Sequence, residues 1–159
     1  MPKCIILSGA PLSGKSSWAK KQNLSILSCD QLRLERFNGK YVFDHKIEKE
    51  IWADFYQRVG LFTKDFIIDN TNCKQSYINK IKESLNNDVN GWLIEIKQFE
   101  VGLYTSYYRN IKRWLFTGKW IPFKVIKDMK NNYKKLCSSA TANNSSKMLL
   151  FTLLLFLVM

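Results

Sequence analysis

The tightest constraint on this chain lies near its start, where Gly9-Ala10-Pro11-Leu12-Ser13-Gly14-Lys15-Ser16 meets the spacing GxxxxGK(S/T) at every fixed position. The apolar run Cys4-Ile5-Ile6-Leu7 just before it reads as a buried strand. Ser16 to Lys21 just after it reads as the first turns of a helix. Between a strand and a helix, glycines let the backbone curl so that successive N–H groups point at one anion. The helix N-terminus adds partial positive charge there. The bland alternative is a Gly-rich turn. The full match in context implies a nucleoside triphosphate, ATP, cradled by Gly9, Ser13, Gly14, Lys15, Ser16 and Ser17. Lys15 can reach the β- and γ-phosphates, and Ser16 is placed to ligate a bridging Mg²⁺.

The rest of the chain alternates strand and helix patterns, which predicts an α/β fold with a mostly parallel sheet of four or five strands flanked by helices. Leu24–Ser28 is a second strand, ending at Cys29-Asp30, where a helix begins. From Asp44 to about Gly60, Ile47, Ile51, Phe55 and Val59 recur every four positions, an amphipathic helix. Phe66-Ile67-Ile68 is a third strand, followed by a polar helix over Lys74 to Leu85 and a turn over Asn86 to Gly91. Trp92–Ile96 is a fourth strand. Helices follow over Val101 to Leu115 and Phe123 to Leu136, separated by a break ending at Pro122.

Residues 1–137 thus read as one domain of adequate size for a core, and 138–147 as a Ser/Asn-rich linker. The tail over 148–159 is apolar apart from Thr152. Twelve helical residues span about 18 Å, short of a hydrocarbon core of roughly 30 Å, so a membrane span is not expected. A tail without function, such as a stretch translated out of its original frame, is the first reading. An interfacial anchor and a segment docked on the core stay open.

The chain of 159 residues carries 25 Lys and Arg against 13 Asp and Glu, a formal charge of +12. That surplus draws polyanions such as nucleic acid, although a lysine-rich soluble surface would look the same. Cys4, Cys29, Cys73 and Cys137 are widely spaced, and Cys4 falls in the core strand. A reduced, intracellular (cytoplasmic) protein is the expectation, with no signal peptide before the first strand. A single histidine, His45, excludes His-rich metal sites.

In such sheets ligands sit at the C-terminal ends of the strands. The first strand delivers the phosphate loop. The second delivers Asp30, with Arg33 one turn on. The third delivers Asp69, Asn70, Thr71 and Asn72. Asp30 is either a general base for an attacking hydroxyl or the N-cap of its helix. Arg33 could hold an acceptor phosphate or sit as a solvated charge. Asp69 could meet Mg²⁺ through water or cap the turn. Thr71 and Asn72 could bind substrate or serve the turn alone. Arg109 and Arg113 share a helix face at i and i+4, which suits either a lid over the transferring phosphoryl group or a plain basic face.

These pieces in order resemble the kinase domain of phage-type polynucleotide 5′-kinases, within the P-loop kinases. They are the phosphate loop with Ser16-Ser17-Trp18-Ala19, Asp30-x-x-Arg33 and Asp69-Asn70-Thr71-Asn72. Then come Arg109-Asn-x-Lys-Arg113, Ile121-Pro122, and Val125-Ile126-x-x-Met129 leading to Tyr133. The resemblance implies the three-layer P-loop NTPase fold, with Lys15 and Ser16 on ATP and Mg²⁺. It implies Asp30 as general base for a 5′-hydroxyl, and Arg33 and Thr71 near the acceptor's 3′-phosphate. Arg113 becomes the catalytic lid arginine on the donor phosphates, supported by Arg109. Four departures stand out: Pro11-Leu12 where glycine is usual, Asn70 where an acid is common, no DxDGT phosphatase signature in these residues, and a Ser/Asn-rich linker and apolar tail that match nothing in the family. The expected function is ATP-dependent phosphorylation of the 5′-hydroxyl end of DNA or RNA. The alternatives are a P-loop kinase acting on a small hydroxyl acceptor, such as a nucleoside, sugar acid or antibiotic, and a non-catalytic nucleic-acid binder with a relict nucleotide site.

Overall fold

The computed structural model describes residues 1–85 and 91–138. All but Gly91 of the turn expected at 86–91, most of the linker and the apolar tail lie outside the described residues. Four strands, β1 (Lys3–Gly9), β2 (Ser25–Leu27), β3 (Phe66–Asp69) and β4 (Leu93–Phe99), form one sheet in the order β2-β3-β1-β4, and every pairing is parallel. Helices α1 (Lys15–Ala19), α2 (Cys29–Arg36), α3 (Glu48–Val59), α4 (Gln75–Leu85) and α5 (Leu103–Thr117) connect and cover it. A further helix, α6, occupies 123–138.

The central strand β1 is buried almost throughout, so its apolar run is continuous rather than alternating. The pleat still sorts its side chains by face. Cys4 and Ile6 join Phe66, Ile68, Leu32, Ile51, Phe55, Val59, Ile78 and Ile81 in one core. Ile5 and Leu7 join Ile67 and Ala19 in a second, with Trp18 and Phe99 against it. Register pins the layers, with Cys4 opposite Phe66 and Ile6 opposite both Ile68 and Ile96. Removing a fully buried ring such as Phe55 would cost about 3–5 kcal/mol.

Strands β2 and β3 lie on one side of β1 and β4 on the other. The C-terminal ends of β1 and β3 therefore flank the place where the strand order reverses, the usual ligand crevice of such sheets.

Three boundaries differ from the sequence reading. Residues 44–47 form a turn ahead of α3, because the Asp44 carboxylate accepts from the Lys46 N–H at 2.9 Å and its carbonyl from Ile47 at 3.2 Å. Helix α5 runs on through Thr117 and stops at Gly118, whose φ of 66° is left-handed and whose N–H reaches the Trp114 carbonyl at 2.9 Å. Ser138 is helical rather than linker. No helix among the described residues is long and apolar enough to cross a membrane.

Candidate active site

The phosphate loop is held from three directions. Gly9 ends β1 with its backbone packed against β4, where a Cβ would sit 2.4 Å from the Phe99 carbonyl oxygen. Its N–H donates to the Thr71 carbonyl at 2.9 Å, tying the loop to the end of β3. Leu12 adopts a left-handed φ of 65°, a conformation that costs a residue with a Cβ about 1–2 kcal/mol. Its carbonyl accepts from Arg109 Nη1 of α5 at 2.9 Å. The departure at Pro11-Leu12 therefore lies where α5 meets the loop.

Lys15 is buried inside the loop. Its ammonium donates to the carbonyls of Gly9 (2.9 Å) and Ala10 (2.8 Å) and to Ser13 Oγ (3.2 Å). Burial lowers its pKa to about 8, against the opposing pull of Cys73 and Asp69. Asp69 lies at the end of β3. Burial raises its pKa, while a hydrogen bond with Ser16 and the charge of Lys15 pull it down. Ser16 and Asp69 thus bring a hydroxyl and a carboxylate together beside Lys15.

Asp30 does not cap its helix. Ser28 does, its side chain accepting from the Gln31 N–H at 3.1 Å, which leaves the Asp30 carboxylate free for other partners. Its Oδ1 accepts from Arg33 Nη1 at 2.6 Å and from the Tyr41 hydroxyl at 3.1 Å, yet the side chain remains 66% exposed. Arg33 is only 7% exposed and also grips Glu48 bidentately, Nε to Oε1 at 2.9 Å and Nη2 to Oε2 at 2.8 Å. Burial alone would lower its pKa, but the hydrogen bonds to Glu48 and the charges of the neighbouring Tyr41, Glu48 and Asp30 groups raise it instead. Most of this guanidinium is engaged by the protein's own carboxylates, so Arg33 orients Asp30.

The strand ends are also laced together. Asn70 Oδ1 accepts from the Cys29 N–H at 3.0 Å, joining the end of β3 to the residue before Asp30. The Asn70 amide nitrogen is buried without a hydrogen-bond partner. Asn72 is 1% exposed, and its amide donates to the Leu7 carbonyl at 2.8 Å. It stands behind the loop, and Thr71 presents its carbonyl to Gly9. Arg113, one turn beyond Arg109 on α5, keeps a buried Nε without a partner. The arrangement gathers the loop, Ser16, Asp69 and Asp30 at adjacent strand ends, with α5 latched onto the loop.

Four contributors escaped the sequence reading. Ser28 had a signal, the Ser-x-x-Gln spacing to Gln31 that marks a helix start. Glu48, Tyr41 and the bracing role of Asn70 had none, because their partners lie far off along the chain.

No protein-family model matches this chain, and no curated protein is similar to it. Solved structures are. A chain of the Pnkp1/Rnl/Hen1 RNA repair complex superposes with a TM-score of 0.70 at 24% identity, over 87% of this chain and 46% of that one. Another structure of the Pnkp1/Rnl/Hen1 complex gives 0.57 at 25% identity, over 68% and 38%. A gluconokinase from Sinorhizobium meliloti 1021 gives 0.52 at 16% identity, over 82% and 74%. This chain spans less than half the length of the repair-complex chains it matches. Its parallel sheet, loop and flanking helices have the α/β fold of P-loop kinases.

Proposed function

We propose that this chain is an ATP-dependent kinase that phosphorylates the 5′-hydroxyl end of DNA or RNA, with residues 1–137 as its working domain. The observation that carries the reading is the open Asp30 carboxylate, fixed by Arg33 and Tyr41 at the end of β2, one strand over from the phosphate loop across β3. An acceptor hydroxyl there would give its proton to Asp30 while its oxygen attacks the γ-phosphorus. The bond from that phosphorus to the β–γ bridging oxygen breaks, and ADP leaves.

Gly9, Ser13, Gly14, Ser16 and Ser17 would cradle the triphosphate, with the Lys15 ammonium on its terminal phosphates. Arg113, whose Nε lacks a protein partner, would meet charge on the transferring group. Ser16 and Asp69 fit a Mg²⁺ ion: they are hard oxygen donors in mutual contact, and such ions take few protein ligands besides phosphates. Bound there, the ion would offset negative charge on the β- and γ-oxygens. Arg109 supports the loop from α5, and Thr71 braces it from β3.

The formal charge of +12 favours a polyanionic acceptor. So does the likeness to chains of an RNA repair complex. The likeness to a gluconokinase keeps a small hydroxyl acceptor as the second reading.

Asp30→Ala tests the base assignment. We expect transfer to fall about 10²–10⁴-fold while ATP affinity changes less than about two-fold. Transfer near the original rate would contradict it.

A further inference from the structure

Residues 101–127 hold no Asp or Glu, but six cations, Arg109, Lys112, Arg113, Lys119, Lys124 and Lys127, and seven aromatic residues. Two of the aromatics form a half-exposed pair at the C-terminal end of α5, Trp114 standing one turn beyond the buried Asn110 on the same side of the helix and Trp120 in the loop that follows. Trp114 (51% exposed) and Trp120 (45%) lie with ring centroids 6.2 Å apart, and Trp120 rests on Phe123 at 4.9 Å. The loop that carries Trp120 is rigidly set. The fully buried Asn110 donates to the Ile121 carbonyl at 2.7 Å and accepts from its N–H at 3.2 Å.

This ridge adjoins the candidate site. The ammonium of Lys119, beside Trp120, lies 4.6 Å from the centre of the Tyr41 ring, and the Tyr41 hydroxyl donates to Asp30. Aromatic faces set among cations and free of carboxylates suit an unpaired polyanion whose flat bases can stack. A protein partner is a poorer match, because lysine is depleted at protein–protein interfaces and four of the six cations are lysines.

We infer that Trp114 and Trp120, with Lys119 beside Trp120, form a stacking platform for the single strand that continues from the acceptor nucleotide at Asp30. The inference deepens the polynucleotide-kinase reading and rests on it only for the position of the 5′ end. Bases beyond the first would lie on the two indoles, and Lys119 would neutralise an intervening phosphate.

The test uses the full chain and anisotropy of 3′-labelled, 5′-hydroxyl single strands of about twelve and about three nucleotides. Trp114→Ala with Trp120→Ala should weaken the long strand by roughly ten-fold or more and the short one by less than about two-fold. Trp114→Phe with Trp120→Phe should restore most of the loss. Because the indoles also pack on neighbours, Lys119→Gln gives a second handle without touching the rings. It should reduce the slope of log affinity against log salt by about 0.7, the share of one phosphate on a single strand. Unchanged long-strand affinity in the alanine variant, or an unchanged slope in the glutamine variant, overturns the platform. So does finding that these substitutions abolish self-association or binding to phosphatidylserine vesicles while strand binding persists. Length-dependent binding without phosphoryl transfer would sink the kinase reading and leave the platform standing. Transfer that ignores both indoles would do the reverse.

Discussion

At the scale of residues, the site works through groups held in forms they would not adopt in water. Lys15 is an ammonium folded among carbonyls, and burial lowers its pKa to about 8. A bound triphosphate favours the charged form, so binding should draw a proton onto this residue wherever the free protein has lost it. Affinity for ATP should therefore be full below about pH 8 and fall above it, by up to ten-fold per unit toward about pH 9.5. Over that range the triphosphate itself does not titrate. Calorimetry in buffers of differing ionisation heat should show net proton uptake there. Flat affinity without uptake would contradict the lowered pKa. Asp30 shows the complementary device: Ser28 takes the capping duty, and Arg33, anchored by Glu48, fixes the carboxylate while leaving it open. The loop residues and Asp30 were legible in the sequence because motif and strand-end position specify them. The Arg33–Glu48 grip was not, because 15 residues separate the partners and no local periodicity links them.

At the scale of elements, the phosphate loop depends on how closely β1 approaches β4. Gly9 pairs with Phe99 at the end of that ladder, and a Cβ at Gly9 would meet the Phe99 carbonyl at 2.4 Å. Gly9→Ala must push the strand ends apart or twist the loop. We expect a loss of about 1–3 kcal/mol in stability, read as a lower Tm, together with at least ten-fold weaker ATP binding. An unchanged Tm and affinity would show that the loop has slack the structure does not contain. Most elements were legible, since β1 and β3 are short apolar runs and α3 carries four-residue apolar spacing. The misses have local causes. The Asp44 turn delays α3, and α5 extends to a left-handed Gly118 through residues read as its break. The contact of Arg109 with Leu12 joins elements 97 residues apart, beyond the reach of any sequence pattern.

At the scale of the whole molecule, sheet order and charge set what the site can receive. The order β2-β3-β1-β4 puts three polar strand ends side by side, and the Asn70–Cys29 and Thr71–Gly9 hydrogen bonds lock them there. The alternation of strands and helices foretold a parallel sheet, but the strand order itself became visible only in the fold. The formal charge of +12 and the carboxylate-free stretch through α5 then favour a long anionic acceptor over a small one. The most direct measurement offers labelled ATP and Mg²⁺ to the full chain with a 5′-hydroxyl oligonucleotide, a nucleoside and gluconate in parallel, across a range of salt. Label on the oligonucleotide 5′ end, with a KM that rises steeply as salt increases, is the predicted result. Label on a small acceptor, with none on the oligonucleotide, would contradict it.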